Sequence, residues 1–529
     1  MRSSLTCHLK PYIQPFEREL AYRELEALTR DRVQENRQDL ESKTLFVNSY
    51  APADVLAREL AFWQSVSNGK QLFTTQVRRE ATAVESVKSN PLQLVFDDES
   101  VADEVRLPNR RCLRYGPHGI HEYRGKFFPQ LVRAFINIGQ VPRKGIVADP
   151  FSGSGTTAIE TILAERFALG LDLNPLSVFM TQAKCDVLSV SFTDLEFAYS
   201  KIKRDLQHPT SASWLSRLAP EDQQYLNGWF HPTVLRDLDR IAACILALDS
   251  AAVQNFMWLC VSNVLRRVSW QKEADLRVRR ELKQAADLDP INEFISELDR
   301  SARLMLAFLR QEQRFARGSA NIKQGDSKRL AQEWKQWRGK VDAIITSPPY
   351  ATALPYLDTD RLSLCFLGLL NRSQHRPRDL DMIGNREISD RMRKELWQAF
   401  SARNVELPSS ISSLIMKINK LNQDSVAGFR RRNLPALLYK YFCDMSVVFE
   451  GMIEVLKKGA SAFVVVGNNH TIAGGTRIEI NTVDLLRELA ELKGFETVDQ
   501  LNMEMLTSRD IFKKNAIESE SILQFRKQH

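Results

Sequence analysis

Apolar and polar positions follow two different patterns along the 529-residue chain. Residues 1–107 show mostly helical spacing, with a charged stretch free of Gly and Pro at 18–43 and a second helical stretch at 55–63. From residue 146 onwards, short apolar runs alternate with helical segments, which is typical of an open sheet with helices on both faces. The pattern therefore predicts an α/β fold with a mostly parallel, doubly wound sheet, preceded by a helical accessory region.

Short apolar runs mark the predicted strands of this sheet. The first two lie at 146–149 and 167–172, the sheet resumes at 341–345, and 461–467 and 521–525 complete it, the last as an edge strand. Two long stretches between these runs carry Leu, Ala and Arg at helical spacing and no convincing strand. We expect both stretches to be helical insertions into the sheet domain.

Composition narrows the class of protein. Lys and Arg number 73 against 65 Asp and Glu, a net charge of +8 that permits a polyanionic partner. Seven scattered cysteines without a CxxC pair argue against disulfides and predict a reducing compartment, the cytoplasm. The eight histidines have no ligand spacing, so no metal site is expected. Because the chain has neither a signal-peptide pattern nor an apolar run of about 18 residues, we expect no secretion and no membrane span.

The first motif with chemical content is D-P-F-S-G-S-G-T-T at 149–157, directly after a predicted strand. Gly153 and Gly155 let the backbone approach a ligand closely, and the following helix presents free N–H groups. A phosphate-binding P-loop would have lysine where Thr156 stands, whereas a dinucleotide fingerprint accepts Ala158 at its third glycine position. A turn that merely packs is the third interpretation that this loop, taken alone, leaves open.

Two further features indicate the kind of ligand. Asp172 ends the next predicted strand, about 17 residues beyond the glycines, where an acid accepts hydrogen bonds from the ribose of an adenosine. The motif S-P-P-Y at 347–350 follows the predicted strand 341–345. Its two prolines fix a rigid turn without N–H donors, which leaves carbonyl acceptors available and holds an aromatic ring at the ligand edge of the sheet. A nucleoside-containing cofactor beside an aromatic turn is therefore predicted.

Together these motifs resemble those of the amino-group DNA methyltransferases, which use S-adenosylmethionine. The F-x-G-x-G signature of that family is matched by Phe151, Gly153 and Gly155. Its catalytic signature, (D/N/S)-P-P-(Y/F/W), is matched by Ser347, Pro348, Pro349 and Tyr350. The segment 118–129 resembles the cofactor-side motif of the family, and Asp326 resembles the acid that contacts the adenine. The cofactor-binding residues implied by the resemblance are Lys126, Phe127, Asp149, Phe151, Gly153, Gly155, Thr156, Asp172 and Asp326.

The resemblance also implies how the chain is divided, around a Rossmann-like methyltransferase sheet. The expected parts are a helical N-terminal accessory region (1–107), a cofactor-binding half (108–190), a helical insertion (191–319), a catalytic-loop part (320–350), a basic helical insertion for target recognition (351–434) and the C-terminal part of the sheet (435–529).

The chemistry of amino-group methylation fits these residue types. An exocyclic amino group is a poor nucleophile because its lone pair is delocalised into the ring of the base. Acceptors such as Ser347 Oγ and the Pro348 carbonyl are suited to draw the nitrogen toward tetrahedral geometry, and Tyr350 offers a face for a base swung out of the duplex. Catalysis then rests mostly on positioning. A cytosine-C5 enzyme would need a nucleophilic cysteine, usually after proline, and none of the cysteines follows a proline.

Two basic segments are predicted to face DNA. Residues 266–283 carry a net charge of +4 and residues 351–434 a net charge of +5. Such clusters are most often solvated helix faces, but in a protein that holds DNA they become phosphate contacts. We expect the second segment to read the target sequence, because it follows the S-P-P-Y motif. The residues singled out are Arg277, Arg279, Arg280, Arg430, Arg431 and Arg432.

The resemblance thus implies a site-specific DNA methyltransferase. The serine form of its catalytic motif is similar to that of cytosine-N4 enzymes, which implies cytosine N4 ahead of adenine N6. An RNA base methyltransferase with similar loops and a catalytically silent DNA-binding protein are the alternatives. DNA is the expected partner, and a restriction or defence protein is considered as a second one.

Overall fold

The computed structural model describes residues 2–31, 43–85, 108, 110–123, 127–208, 213–272, 279–284, 287–313, 315–351, 357–423, 428–504 and 519–528. The strands are β1 (Ser3–Leu9), β2 (Thr44–Ser49), β3 (Trp63–Ser67), β4 (Gln71–Phe73), β5 (Ile146–Asp149), β6 (Phe167–Asp172), β7 (Ser319–Gln324), β8 (Val341–Thr346), β9 (Leu456–Gly467), β10 (Asn469–Ala473), β11 (Thr476–Ile480), β12 (Phe495–Glu504) and β13 (Ser519–Lys527).

The α-helices are referred to by their ranges. They span Pro15–Thr29, Ala53–Glu59, Thr75–Glu85, Pro129–Ile138, Thr156–Leu163, Pro175–Asp186, Phe192–Asp205, Pro220–Asn227, Pro232–Leu246, Ala251–Leu265, Pro290–Glu312, Leu330–Glu333, Arg361–Phe366, His375–Asp381, Asp390–Ser401, Ser409–Gln423, Phe429–Val455 and Thr482–Leu492.

The main sheet has seven strands in the order β12-β13-β9-β8-β5-β6-β7. From β9 to β7 the neighbours are parallel, whereas β13 runs antiparallel to both β12 and β9. The chain adds β6 and β7 on one side of β5 and then returns to place β8 on the other side. The carboxyl ends of β5 and β8 therefore meet at the switch point where open α/β sheets bind ligands. The predicted mostly parallel, doubly wound sheet is confirmed.

Successive residues of the inner strands enter two different hydrophobic cores. On β9, Phe463 and Val465 pack in a core shared with the N-terminal region, whereas Val464 packs with the helices Phe429–Val455 and Thr482–Leu492. This alternation follows from the two-residue period of a strand, and burial on both faces explains the continuous apolar runs in the sequence. Both cores support the carboxyl edge where the predicted motifs lie.

The N-terminal region contains an antiparallel sheet of four strands in the order β2-β1-β3-β4. The sequence pattern did not predict this sheet, although it did predict the helical character that the helices Pro15–Thr29, Ala53–Glu59 and Thr75–Glu85 give the region. Its strands are only three to seven residues long, and β1 buries one face only, through Leu5, Cys7 and Leu9. Such short alternating runs give a weak signal beside long charged helices.

Helices of the N-terminal region are shorter than the sequence pattern predicts. The helix expected over 18–43 spans Pro15–Thr29 and ends where Arg30 adopts a left-handed φ of 59°, and residues 32–42 lie outside the described part. The helix expected over 55–63 ends at Glu59, and β3 begins at Trp63.

Two strands of the main sheet differ from the prediction. The strand β7 carries no apolar run, because as an edge strand it exposes most of its polar residues, so the sequence does not reveal it. The predicted edge strand 521–525 belongs to β13, which lies between β9 and β12, and β12 is the true edge. The hairpin β10–β11 is likewise not predicted.

The described residues of the stretch between β6 and β7 and of the stretch between β8 and β9 form helices and no strand of the main sheet. Among all described helices, none is long and apolar enough to cross a membrane. The described residues also contain no group of three or more His, Cys, Asp or Glu side chains arranged to hold a metal ion.

Candidate active site

The loop after β5 has the backbone shape that its glycines predict. Gly153 and Gly155 adopt φ values of +48° and +82°, in the left-handed region that favours glycine. A Cβ on Gly155 would lie 2.9 Å from side-chain atoms of Thr181, and a Cβ on Gly153 would lie 3.2 Å from the ring of Tyr123. Gly155 then caps the start of the helix Thr156–Leu163. The loop is therefore confined on both sides and depends on glycine.

Asp172, at the end of β6, supports this loop. Its Oδ2 accepts a hydrogen bond from the Gly153 N–H at 2.8 Å, and its Oδ1 accepts one from the Asn174 N–H at 2.9 Å. Burial raises the pKa of Asp172 to about 6 against the effect of these two donors, and the nearby Asp149 carboxylate also acts to raise it. The acid predicted to bind the ribose is thus also an anchor for the glycine loop.

The S-P-P-Y loop is tied to the glycine loop at the ends of β5 and β8. Thr346 Oγ1 donates to Asp149 Oδ1 at 2.6 Å, and the Phe151 N–H donates to the same oxygen at 3.0 Å. Thr157 Oγ1 donates to the Ile345 carbonyl at 3.1 Å. Burial raises the pKa of Asp149 to about 6, while its hydrogen bonds oppose this shift. Because the two loops share these bonds, the predicted cofactor and catalytic motifs lie side by side.

Tyr350 is held at its side chain and at its backbone. The side chain is 7% exposed, and its hydroxyl donates to the carboxylate of Glu520 on β13. Burial raises the pKa of Glu520, and the bond from the hydroxyl opposes that shift. Gly384 adopts a φ of +77°, and a Cβ on it would lie 2.7 Å from the Tyr350 carbonyl oxygen. Asn469 Nδ2 donates to the Ala351 carbonyl at 2.8 Å.

One cavity is lined by both motifs. The predicted site residues in its wall are Phe127, Asp149, Phe151, Gly153, Thr156, Asp172, Asp326, Ser347, Pro348, Pro349 and Tyr350. Gly155 instead lies behind the wall, where it begins the helix Thr156–Leu163 and faces Thr181. Lys126 lies outside the described residues.

Other residues of the cavity wall are not named by the sequence motifs. They are Tyr123, Ser152, Ser154, Leu173, Ser327, Met382 and Ile383. Tyr123 lies inside the segment 118–129, and Leu173 follows Asp172, so their positions in the sequence were a usable signal. Met382 and Ile383 come from the insertion between β8 and β9, and nothing in the sequence links them to the cavity.

The segment 378–388, called the strap below, crosses the edge of this cavity. Arg378 donates to the carbonyl of Leu173 at 2.9 Å, directly beyond β6. Lys328 donates to the Asp381 carbonyl at 2.6 Å and forms an ion pair of 3.2 Å with Asp326. The strap is therefore fastened beside both acids predicted to contact the cofactor.

The second basic segment begins next to the strap. Arg430, Arg431 and Arg432 lie in the exposed first turn of the helix Phe429–Val455. Arg430 forms an ion pair of 2.9 Å with Glu387 of the strap. These three arginines lie outside the cavity wall, at the surface where a large polyanion has access.

The first basic segment lies on the helical insertion between β6 and β7. Arg280 is exposed and stacks over the ring of Trp270 at 4.7 Å, and the Arg279 carbonyl accepts from the Lys272 N–H at 2.9 Å. Arg277 lies outside the described residues. The structure does not place Arg279 or Arg280 in the cavity wall.

Comparison with known proteins points to one family. The N6/N4 methylase family, described as DNA methylase, matches residues 35–182, which include the glycine loop and Asp172. Type II methyltransferase M.MvaI from Kocuria varians is 27% identical over 281 residues, which are 50% of this chain and 61% of that protein. This chain therefore spans less than two thirds of the length of that relative.

A longer but more distant alignment is found with Type II methyltransferase M.BsoBI from Geobacillus stearothermophilus. It is 20% identical over 449 residues, which are 75% of this chain and 83% of that protein. A solved structure described as a putative DNA modification methylase, from Thermus thermophilus, aligns with 13% identity and a TM-score of 0.19 over 39% of this chain and 52% of that chain. That structural likeness is too weak to bear on the fold, which follows from the strand order above. Over residues 35–182 and in its paired motifs, the chain is therefore similar to the N6/N4 family of DNA methylases.

Proposed function

We propose that the protein transfers a methyl group from S-adenosylmethionine to the exocyclic amino group of a base in DNA, with cytosine N4 as the preferred acceptor. The observation that carries this proposal is the single cavity lined by the glycine loop, Asp172 and the S-P-P-Y loop. A cofactor pocket and an aromatic turn in one wall bring a methyl donor and a base within reach of each other. Relatives named Type II methyltransferases favour a site-specific reaction on DNA.

The cavity wall suits an adenosine-containing cofactor. Carboxylates of Asp172 and Asp326 are acceptors for hydroxyl and amino donors, and Phe151 supplies an aromatic surface. Ser152 Oγ is buried in the wall and, within the described residues, has no hydrogen-bond partner, as expected of a group that awaits a polar ligand. Gly153 keeps the wall free of a side chain where Tyr123 approaches. When bound, S-adenosylmethionine supplies a methyl group on a positively charged sulfur.

Residues of the S-P-P-Y loop perform the other half of the reaction. Ser347 Oγ and the Pro348 carbonyl accept hydrogen bonds from the amino group, which localises the nitrogen lone pair. Tyr350 stacks on the base that enters the cavity. The nitrogen forms a bond to the methyl carbon as the bond from carbon to sulfur breaks, and the amino group then loses one proton. Catalysis on this account is orientation of the two reactants, without a covalent enzyme intermediate.

The DNA side of the proposal assigns the basic segments different tasks. Arg430, Arg431 and Arg432 begin a helix that also packs beneath the catalytic edge, and Arg430 is bonded to the strap. We assign the insertion 351–434 most of the sequence-reading contacts, with Arg431 and Arg432 adding phosphate contacts. We assign Arg277, Arg279 and Arg280 mainly phosphate contacts. Adenine N6 is the alternative acceptor, because the same acceptors and aromatic face suit either amino group.

The test is methyl transfer from radiolabelled S-adenosylmethionine to genomic DNA, followed by nucleoside analysis and modified-base sequencing. N4-methylcytosine is expected, and N6-methyladenine would establish the alternative. Ser347→Ala should slow transfer while cofactor binding persists, because its acceptor matters most as the nitrogen rehybridises. Ser401→Ala, which changes an exposed serine of the insertion 351–434 outside the cavity wall, is the control.

Other products would reject the proposal in distinct ways. Finding 5-methylcytosine would contradict direct attack by the amino nitrogen. Methylation of RNA but not of DNA would identify the protein as an RNA base methyltransferase. A wild-type protein that fails to bind S-adenosylmethionine in a titration would indicate a catalytically silent DNA-binding protein.

A further inference from the structure

Glu520 accepts a hydrogen bond from the hydroxyl of Tyr350. It lies on β13, where it pairs with Gly467 of β9 and Met503 of β12, so its backbone is part of the main sheet. The Tyr350 hydroxyl donates to Glu520 Oε1, across 170 positions of sequence. A rigid strand therefore holds the far end of the aromatic side chain.

Contacts at the backbone around Tyr350 do not by themselves set the orientation of its ring. Gly384 leaves too little room for a Cβ beside the Tyr350 carbonyl oxygen, and Asn469 donates to the next carbonyl, that of Ala351. These contacts fix where the side chain starts but not how far it rotates about its two side-chain torsions. Rotation of a phenol ring in a cavity wall is stopped only by packing or by a bond at its hydroxyl.

We infer that Glu520 is a positioning residue, whose carboxylate fixes the ring of Tyr350 with its face toward the cavity. This inference rests on the proposed function, in which Tyr350 stacks on the incoming base. Stacking uses the face of the ring, which phenylalanine shares with tyrosine, so the hydroxyl is not needed for stacking itself. In this chain the hydroxyl serves to orient the ring, and Glu520 is the partner that gives it an orienting role.

A fixed orientation of the Tyr350 ring affects the binding of DNA, which precedes methyl transfer. It lowers the cost of ordering the stacking surface when the base arrives, so its loss weakens productive capture of DNA and leaves the cofactor side intact. Glu520 is not among the described residues that line the cavity. The two effects, on DNA and on cofactor, are therefore separable by measurement.

The experiment is a double-mutant cycle on the 529-residue chain with Tyr350→Phe and Glu520→Leu, assayed on duplex DNA that contains the site found by modified-base sequencing. Each single variant should raise the KM for DNA by roughly 10-fold, the size expected of one hydrogen bond to a charged group. The double variant should be no worse than either single variant, since all three lack the same bond. Glu520→Gln keeps an acceptor and should stay within about 3-fold of wild type. The dissociation constant for S-adenosylmethionine should be unchanged throughout.

Two results would overturn the inference. Additive losses in the double variant would mean that Glu520 acts on something other than the Tyr350 hydroxyl. A wild-type KM in Tyr350→Phe would mean that the bond does not orient the ring, and this variant decides the matter if Glu520→Leu does not fold. A wild-type enzyme that methylates nothing would reject the proposed function itself, which is a different outcome from an active enzyme that is indifferent to Glu520.

Discussion

The carboxylate of Asp172 accepts a hydrogen bond from the backbone N–H of Gly153 at 2.8 Å, across the ends of two neighbouring strands. The acid that ends β6 therefore holds in place the loop that ends β5. A ribose contact alone would have left the loop independent of this side chain. We therefore expect a substitution of Asp172 to act on the proposed cofactor site twice, through a lost acceptor and through a loosened loop.

Replacement of Asp172 should separate these two effects. We expect Asp172→Ala to weaken S-adenosylmethionine binding by roughly 10- to 150-fold, the equivalent of about 1.5–3 kcal/mol for hydrogen bonds to a charged group. Asp172→Asn keeps one acceptor oxygen for the Gly153 N–H and should lose less. Isothermal titration calorimetry on both variants measures the difference. Equal affinity in wild type and Asp172→Ala would show that the acid does not contact the cofactor.

The stability of the protein without cofactor should depend on pH through the same residue. Burial raises the pKa of Asp172 from its usual 3.8 to about 6, so between these values the folded protein holds a proton that the unfolded chain has lost. The contribution of Asp172 is therefore most favourable below about pH 4 and declines as the pH rises to about 6. Urea unfolding of wild type and Asp172→Asn at pH 4 and pH 7 measures it. A difference between the two proteins that is independent of pH would contradict the prediction.

Replacement of Gly155 should do more harm than replacement of Gly459, because only Gly155 has close neighbours that a Cβ would meet. Gly155 and Gly459 have φ values of +82° and +74°, but a Cβ would lie 2.9 Å from Thr181 atoms at the first and meet nothing within 4 Å at the second. Alanine at either position should cost about 1–2 kcal/mol of backbone strain. Gly155→Ala should in addition displace the loop and reduce cofactor affinity, whereas Gly459→Ala should not. Thermal melting and cofactor titration of both variants make the comparison.

The site could be predicted largely because its residues follow strands in the sequence. Asp149, Asp172 and Ser347 come directly after apolar runs, and the carboxyl ends of parallel strands share one edge, so their proximity follows from the strand pattern. Met382 reaches the cavity from a helical insertion, and its position depends on long-range packing of the strap. No local spacing encodes such a contact.

The errors in the predicted fold have a common physical cause. Strand β7 exposes most of its polar residues, and β1 buries only alternate residues, so neither produces the continuous apolar run that marks β8 or β9. The edge position of β12 also depends on how β13 inserts between it and β9. Strand order depends on tertiary packing. A single sequence indicates that packing only through the pattern of apolar residues that each strand buries.

Neutralising arginines near the strap should change the salt dependence of DNA binding. Arg431 and Arg432 are exposed at the start of the helix Phe429–Val455. If both contact phosphates, their replacement by glutamine should reduce the slope of log K against log salt by about 2. Arg391→Gln, an exposed arginine on another helix of the same insertion, should leave the slope unchanged. Fluorescence anisotropy at several salt concentrations measures it, and an unchanged slope in the double variant would remove these residues from the DNA interface.

A buried ion pair should make the N-terminal region sensitive to single substitutions. Arg79 and Glu312 form a pair with two hydrogen bonds of 2.9 Å, and their side chains are 2% and 1% exposed. Glu312→Leu leaves an unpaired buried charge and should lower the free energy of unfolding by about 3–5 kcal/mol. Arg79→Met combined with Glu312→Leu removes both charges and should be the more stable variant. Urea unfolding ranks the two, and the reverse order would contradict the prediction.

The strap contacts two places at once, with Met382 in the cavity wall and Glu387 bonded to Arg430 at the start of the basic helix. Because one element contacts both proposed binding surfaces, the binding of one ligand can affect the binding of the other. If bound DNA changes the affinity for the methyl donor by some factor, the bound methyl donor changes the affinity for DNA by the same factor. If a substitution in the Glu387–Arg430 pair changes this coupling factor, the change must be the same whether it is measured on the affinity for DNA or on the affinity for the methyl donor.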